Sequence, residues 1–251
     1  KQAQQSQGGL FDLAGEDEFM NREPELSTTP PWSMRTQLEQ EKLALGFYFS
    51  GHLYDEYAPE VKEFIRIKIA ELAESKEPVL IAGIISDFKV IQSQRGRLAL
   101  FKLDDRSGFI DVAVDADLLD RHRQELADDL FLVVRGKIQP DRFSGGIRMN
   151  ATDCWGLKNA RVQFGKRIEV NLDERRPDWA CLSEPQIGGA SDSKAKTLPV
   201  RCHLMIKDVR VSLDFSVQVQ PGEAEISALQ LMCDLEESQS ETHSSVQIVY
   251  Q

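Results

Sequence analysis

The sequence predicts a mainly β chain with additional α+β parts, and three patterns support this fold class. Between residues 79 and 157, short runs of β-branched and aromatic residues alternate with glycine-containing turns, which is typical of antiparallel strands. Before this region, from Ser33 to Phe49, apolar residues recur at helical spacing. After it, residues 200–251 show the order strand, strand, helix, strand. We therefore expect a helical segment, a β domain and a small α+β domain, in that order.

Residues 1–32 are predicted to be a flexible tail. Gln, Glu, Ser, Thr and Pro dominate this segment, and such a composition cannot bury a core. One apolar cluster interrupts it, Gln7-Gly8-Gly9-Leu10-Phe11-Asp12-Leu13. A Leu-Phe pair on a flexible tail has the form of a short docking peptide. The cluster therefore predicts a partner protein with a hydrophobic pocket.

Residues 33–76 are predicted to be a helical segment. Ser33 is a suitable cap for a first helix, and Gly46 marks its exit. A second helix is predicted over about residues 56–74, because apolar residues recur there at helical spacing and Pro59 lies in the first turn. We expect the two helices to pack together.

Residues 77–158 are predicted to form a five-stranded barrel. Strands are expected at residues 79–91, 98–104, 109–114, 130–139 and 147–155, with a helix at residues 117–127 between the third and the fourth. Five strands in this order, within roughly 80 residues, are characteristic of the OB-fold, whose second and third strands and flanking loops bind oligonucleotides. The fold class is thus a mainly β chain in which an OB-fold barrel follows a helical segment and precedes a small α+β C-terminal domain.

Residues 159–199 are predicted to be a connector, and residues 200–251 a separate α+β domain. Prolines, glycines and a Ser/Lys run are frequent between residues 171 and 199, as in linkers and mobile loops. Strands are then predicted at residues 199–206, 210–219 and 246–250, with a helix at residues 223–235.

Strand alternation predicts a basic outer face on the barrel. If Ala99, Phe101 and Leu103 point inward, Lys102 points outward, and the same argument places Arg135 and Lys137 outside. Cations bind phosphates and aromatic rings stack on bases. The candidate DNA-binding residues are Lys89, Arg95, Arg97, Lys102, Arg106, Phe109, Arg135, Lys137, Arg142, Phe143 and Arg148. The alternative is that these cations form an ordinary solvated surface.

The charge balance limits the affinity that we expect for DNA. Residues 79–157 hold eleven Lys and Arg against twelve Asp and Glu, while the whole chain has a net charge of -11. So many carboxylates argue against tight nonspecific binding of duplex DNA. We therefore expect weak single-strand binding that depends on tethering to DNA by other contacts.

The sequence contains no pattern of a catalytic or metal site. The cysteines and histidines are widely spaced, and the phosphate-binding and nucleophile-elbow glycine motifs are absent. Asp115-Ala116-Asp117 could hold metal ions in nucleotidyl transfer, but its place at a strand-to-helix transition predicts a helix cap instead. We expect no catalytic residue, no metal and no cofactor. No apolar run is long enough for a membrane span, and the cysteine pattern favours a reducing cytoplasm.

Two motifs resemble a known family. They are Glu41-Lys42-Leu43-Ala44-Leu45-Gly46-Phe47-Tyr48-Phe49-Ser50-Gly51-His52 and Leu103-Asp104-Asp105-Arg106-Ser107-Gly108, accompanied by Phe143-Ser144-Gly145-Gly146. Together they resemble the C-terminal region of the alpha subunit of bacterial DNA polymerase III, from about Gln7 to the end of the chain. The resemblance weakens from Asn171 to Leu198.

The resemblance implies a non-catalytic part of a DNA-directed DNA polymerase, a nucleotidyltransferase. In that family a clamp-binding region, an OB domain and a domain that binds the tau subunit of the clamp loader follow the polymerase domains. The resemblance places the catalytic aspartates of the palm before Lys1. By position, Gln7, Leu10 and Phe11 resemble the peptide that enters the hydrophobic pocket of the sliding clamp. No motif in residues 200–251 identifies tau-contacting residues.

The resemblance thus predicts three partners, namely the sliding clamp, single-stranded template DNA and tau, in the cytoplasm at replication forks. Two alternatives remain open. The chain could be a stand-alone OB-fold adaptor without a polymerase, or an enzyme that uses the barrel as a substrate platform. The enzyme alternative requires a nucleophile or a nucleotide pocket, and the sequence shows neither.

Overall fold

A computed structural model describes residues 31–93, 96–141, 145–172, 197–206, 209–233 and 246–250. Within these ranges the predicted fold class is confirmed. A helical segment is followed by a closed five-stranded barrel and then by a four-stranded sheet with helices.

The helical segment contains one regular helix and several short turns. Helix α1 spans Met34–Leu45; the side chain of Ser33 caps its N-terminus, and Gly46 ends it in the left-handed conformation, with φ +84°. A 3₁₀ turn at Leu53–Glu56, helix α2 at Ala58–Val61 and a 3₁₀ turn at Ile69–Glu71 follow. The single helix predicted over residues 56–74 is therefore divided. Val61 is the last residue of α2, Ile69 is the first of the second 3₁₀ turn, and both are buried, as is Ile65 between them.

The barrel closes through five strands joined in the order β1-β2-β3-β5-β4. They are β1 (Ser75–Ser93), β2 (Gly96–Asp104), β3 (Phe109–Asp115), β4 (Phe131–Pro140) and β5 (Ile147–Trp155). Strands β3 and β5 are parallel, and the other neighbours are antiparallel. Inward side chains such as Ile81, Phe101 and Leu132 fill the interior.

Helix α3 (Ala116–Arg121) lies between β3 and β4, as the sequence predicts, but it is shorter than expected. The Asp115 carboxylate accepts a hydrogen bond from the backbone N–H of Leu118 at 2.9 Å, so this residue is the helix cap. Gly136 allows β4 and β5 to approach closely, since a Cβ there would lie 2.4 Å from the carbonyl oxygen of Asn150.

The last part of the chain forms a second sheet with the strand order β8-β7-β6-β9. Its elements are α4 (Leu157–Phe164), β6 (Gly165–Leu172), β7 (Leu198–Ile206), β8 (Val209–Val219), α5 (Glu223–Cys233) and β9 (Val246–Tyr250). Strand β6 lies within residues 159–199, which the sequence predicts as a connector. It is a central strand, parallel to β7, and its Ile168 and Val170 are fully buried.

A three-way junction (Glu60, Phe64, Arg161, Phe164 and Tyr250) joins the helical segment, α4 and the second sheet. Arg161 donates two hydrogen bonds of 2.7 Å to the Glu60 carboxylate, which also accepts one from the Tyr250 hydroxyl. The Phe64 ring stacks on Tyr250 at 4.7 Å and on Phe164 at 5.2 Å between ring centroids. These contacts hold the second sheet against the helical segment.

Among the residues that the structure describes, no helix is long and apolar enough to cross a membrane. The same residues contain no group of three or more His, Cys, Asp or Glu side chains positioned for a metal ion.

Candidate nucleic-acid interface

The outer face of β2 follows the predicted alternation. Ala99, Phe101 and Leu103 are buried inside the barrel, and Lys102 lies between them on the outside. The pleat of the strand is the cause, because successive side chains point to opposite faces. The candidate contact residues are therefore the outward residues of β1 to β5.

A bulge in β1 supplies a carboxylate partner for Lys102. The pairing of β1 with β2 shifts between Ser86 and Lys89, and Asp87 there has a positive φ of 56°. Its carboxylate accepts a hydrogen bond from Lys102 Nζ at 2.8 Å. This hydrogen bond and the charge of Asp87 raise the pKa of Lys102, so the side chain is held as a cation.

Phe109, the first residue of β3, is an aromatic side chain open to solvent. It is 64% exposed, and Lys102 Nζ lies 5.4 Å from the centroid of its ring. A cation above one side of the ring stabilises it electrostatically and limits its motion. The exposed ring is therefore a platform on which a base can stack.

Two further candidate cations are held in ion pairs. Arg97 Nη2 contacts both oxygens of Asp120, at 2.9 and 2.7 Å. Arg106, in a turn with φ +71°, contacts both oxygens of Asp55 at 2.7 Å. Because these guanidinium groups already have carboxylate partners, a phosphate must compete for them.

Arg135 on β4 packs against an aromatic ring. Its guanidinium carbon lies 5.2 Å from the ring centroid of Trp155, and the side chain is half-buried. Planar guanidinium groups stack well on aromatic faces. Arg135 therefore supports the wall of the barrel and is less available than its outward position suggests.

Lys89, Lys137 and Arg148 differ from these cations. Within the described part of the chain, none of the three forms an ion pair. Arg148 is half-buried on β5, and its buried Nε has no hydrogen-bond partner there. Because Nε is enclosed, an anionic ligand would contact the Nη groups of this half-buried guanidinium.

The remaining candidates lie outside the described residues. They are the barrel residues Arg95, Arg142 and Phe143 and the tail residues Gln7, Leu10 and Phe11. Asp87 and Asp120 were not predicted from the sequence, although they decide which cations remain unpaired. No local motif marks them, since their partners are 15 and 23 residues away.

The first of the two family-like motifs connects α1 to the barrel. The Glu41 carboxylate accepts hydrogen bonds from the backbone N–H groups of Phe49 and Ser50, both at 2.8 Å. Lys42 forms an ion pair with Asp129 and lies 5.2 Å from the centroid of the Tyr48 ring. This motif therefore fixes the helical segment in place.

The second motif, residues 103–108, forms the turn between β2 and β3 and contacts the same helical segment. Asp105, only 9% exposed, accepts hydrogen bonds from the backbone N–H groups of Ile69 and Ser107, both at 2.9 Å. Ser107 Oγ in turn accepts one from Ala70 N–H at 3.2 Å. Both motifs thus hold the helical segment on the barrel.

Comparison with known proteins finds a family model that matches the barrel and relatives that match most of the chain. The tRNA anti-codon family model, described as an OB-fold nucleic acid binding domain, matches residues 79–155. The second OB-fold domain of replication protein A from Methanococcus maripaludis shares 18% identity, with a TM-score of 0.30 over 36% of this chain and 93% of that chain.

Two curated relatives are both DNA polymerase III subunit alpha. The protein of Vibrio cholerae serotype O1 is 29% identical over 205 residues, which are 78% of this chain and 17% of the relative. That of Escherichia coli K12 is 28% identical over 223 residues, which are 86% of this chain and 19% of the relative. The matched region thus spans less than a fifth of either relative. The chain is homologous to part of the DNA polymerase III alpha subunit, and the barrel in it is an OB-fold nucleic-acid-binding domain.

Proposed function

We propose that this chain is the non-catalytic C-terminal part of a replicative polymerase alpha subunit, and that its barrel holds single-stranded template DNA. The observation that carries the proposal is the exposed ring of Phe109, with Lys102 against one side, on the outer face of the barrel. In OB-folds, bases stack on such rings while cations follow the backbone.

The charges of the barrel support single strands over duplex. A duplex binder needs many free cations, whereas Lys102, Arg97 and Arg106 already have carboxylate partners. Stacking on a ring requires an unpaired base, which a single strand offers. The barrel therefore contributes a weak local contact, and tethering through other parts of the polymerase raises its effective concentration at the template.

The proposal extends to two protein partners. Gln7, Leu10 and Phe11, which lie outside the described residues, would bind the sliding clamp. Leu and Phe each add roughly 1.5 to 3 kcal/mol when buried in an apolar pocket. The small α+β domain would bind tau, and catalysis would belong to other domains of the polymerase. Such a chain acts in the cytoplasm at replication forks and increases processivity.

The test of the DNA proposal is fluorescence anisotropy with a labelled oligothymidine. Replacing a stacking aromatic with alanine costs about 1 to 3 kcal/mol, so Phe109→Ala should weaken binding roughly 5- to 150-fold. The matched control is Phe49→Ala, since Phe49 is 78% exposed on the helical segment. Equal affinity of the intact chain and Phe109→Ala would contradict the stacking role.

The clamp proposal is tested by calorimetric titration of the chain into the sliding clamp. A triple Gln7→Ala, Leu10→Ala and Phe11→Ala variant should lose binding with an unchanged melting temperature. A clamp affinity that the triple variant retains would exclude this peptide as the contact.

A further inference from the structure

Some outward cations of the barrel form ion pairs with carboxylates, and others form none within the described residues. The second group, which includes Lys137 and Arg148, lies outside the second and third strands. Lys137 and Lys76 line one cleft of about 480 Å³ between the start of β1 and the end of β4. Neither lysine forms an ion pair within the described part of the chain. Lys76 was not among the candidates from the sequence.

Strand register places these lysines in line with Arg148 and Phe109. On β4 and β5, Gln139 lies opposite Arg148 and Lys137 opposite Asn150, so Lys137 and Arg148 are diagonal neighbours on the outer face. Such neighbours lie about 7 to 8 Å apart.

The line continues at both ends. Ser75 lies opposite Ile138, which places the neighbouring Lys76 beside Lys137 across β1 and β4. On β3, Asp111 lies opposite Arg148, and Phe109 precedes Asp111 by two residues on the same face. We call Phe109, Arg148, Lys137 and Lys76 the diagonal stripe. Its members lie on β3, β5, β4 and β1.

The other groups that face the diagonal stripe leave room for an anion. Asp111 is opposite Arg148 but outside ion-pair distance, and its charge contributes to the raised pKa of Lys102. Asn150 donates a hydrogen bond to Gln139 Oε1 at 2.9 Å, which leaves the amide N–H groups of Gln139 available to a ligand. Glu74 is the acidic residue among those lining the cleft. Asp104, opposite Phe109, accepts a hydrogen bond from the backbone N–H of Arg106. Within the described residues, Arg148, Lys137 and Lys76 therefore form no ion pair with the carboxylates beside this path.

We propose that the phosphates of the bound strand follow the diagonal stripe from Phe109 across β5 and β4 to β1. This inference rests on the proposed function and specifies the path of the same ligand. The phosphates contact Arg148, Lys137 and Lys76, whereas the cations of β2 remain with their carboxylate partners. Each phosphate contact adds to the salt dependence of binding, because counterions are released from the strand.

The experiment measures oligothymidine affinity at several salt concentrations. For single strands each lost phosphate contact reduces the slope of log K against log salt by about 0.7, so Lys76→Ala/Lys137→Ala should reduce it by about 1.4. The matched control Lys62→Ala/Lys68→Ala removes two exposed lysines of the helical segment and makes the same change in net charge. It should leave the slope nearly unchanged.

A second variant tests the half-buried member of the stripe. Arg148→Lys keeps the charge but removes the guanidinium group, so it should weaken binding. Its salt slope should fall less than that of the lysine double variant, because the positive charge remains. If the lysine double variant matches the intact chain while Phe109→Ala weakens binding, the path is wrong and the DNA function remains. If the intact chain does not bind oligothymidine, both proposals fail.

Discussion

The three-way junction and the diagonal stripe use charged residues in opposite ways. In the junction, the Glu60 carboxylate accepts hydrogen bonds from Arg161 and Tyr250, and the side chain of Arg161 is only 11% exposed. On the stripe, the cations have no carboxylate partner within the described residues. The comparison teaches that charges with partners hold the parts of the chain together, while charges without partners remain available to a ligand.

The largest expected effect comes from opening the junction. Glu60→Ala leaves the guanidinium of Arg161, which is 11% exposed, without its carboxylate. Removal of one partner from a buried pair costs about 3 to 5 kcal/mol, and we expect the lower end because this pair is only partly buried and Arg161 still donates to the Pro221 carbonyl oxygen. Urea denaturation followed by circular dichroism measures the free energy of unfolding. The control Glu63→Ala removes an exposed carboxylate three residues away on the same segment and should change stability by less than about 0.5 kcal/mol.

The comparison would break if Glu60→Ala proved as stable as the control. In that case the ion pair of the junction would contribute no net stability, and the stacked rings of Phe64, Phe164 and Tyr250 would remain as its stabilising contacts. Tyr250→Phe separates the two contributions, since it keeps the ring and removes the hydroxyl hydrogen bond to Glu60.

The next effect concerns the turn of the second family-like motif. Asp105→Ala would leave the buried N–H of Ile69 without its acceptor, and such a loss costs about 1 to 3 kcal/mol. The control Asp111→Ala removes an outward carboxylate of the barrel and should have a small effect on stability. Thermal denaturation of both variants measures the difference. Equal melting temperatures would show that this turn does not hold the helical segment.

The fold could be predicted largely because the barrel strands carry clear alternation. The fifth strand and the last strand begin and end where the sequence predicts, at Ile147–Trp155 and Val246–Tyr250. Strand β6 was not predicted. Its buried residues Ile168 and Val170 do alternate with charged residues, but this alternation is short and leads directly into the stretch rich in proline and glycine that begins at residue 171. The helical spacing of Val61, Ile65 and Ile69 correctly indicates that these residues are buried, but it does not require them to lie in one continuous helix.

For the candidate site, the sequence predicted only which side chains face outward. Alternation places Lys102 and Lys137 outside, but the sequence cannot show that Asp87 binds one of them and leaves the other unpaired. The partner of Lys102 depends on a bulge in β1, and that of Arg106 lies 51 residues earlier. The most specific motifs proved to fix the helical segment to the barrel, and the unpaired cations lie outside any motif.

A smaller effect is expected for a cation that already has a partner. Arg97→Ala/Asp120→Ala removes an exposed ion pair without a change in net charge, and such pairs contribute about 0 to 1 kcal/mol. Oligothymidine affinity should stay within about twofold, because Arg97 is not available to phosphate. A clear fall in affinity and in salt slope would show that phosphate displaces Asp120, and the distinction between paired and unpaired cations would not hold.

The smallest effect is a pH dependence at the helical segment. The Ser50 hydroxyl and the backbone N–H groups of Ser50 and Phe49 donate hydrogen bonds to Glu41 and lower the pKa of its carboxyl to about 2, from an ordinary value of 4.5. A lowered pKa in the folded state means that the ionised carboxylate stabilises the fold above about pH 4.5, and that this contribution is lost as the pH falls toward 2. The intact chain should therefore lose stability relative to Glu41→Gln between these values. Urea denaturation at pH 6 and pH 3 measures the difference, with Glu39→Gln on the same helix as the control. A difference between the intact chain and Glu41→Gln that is the same at both pH values would mean that the contribution of these hydrogen bonds to stability does not depend on the charge of Glu41.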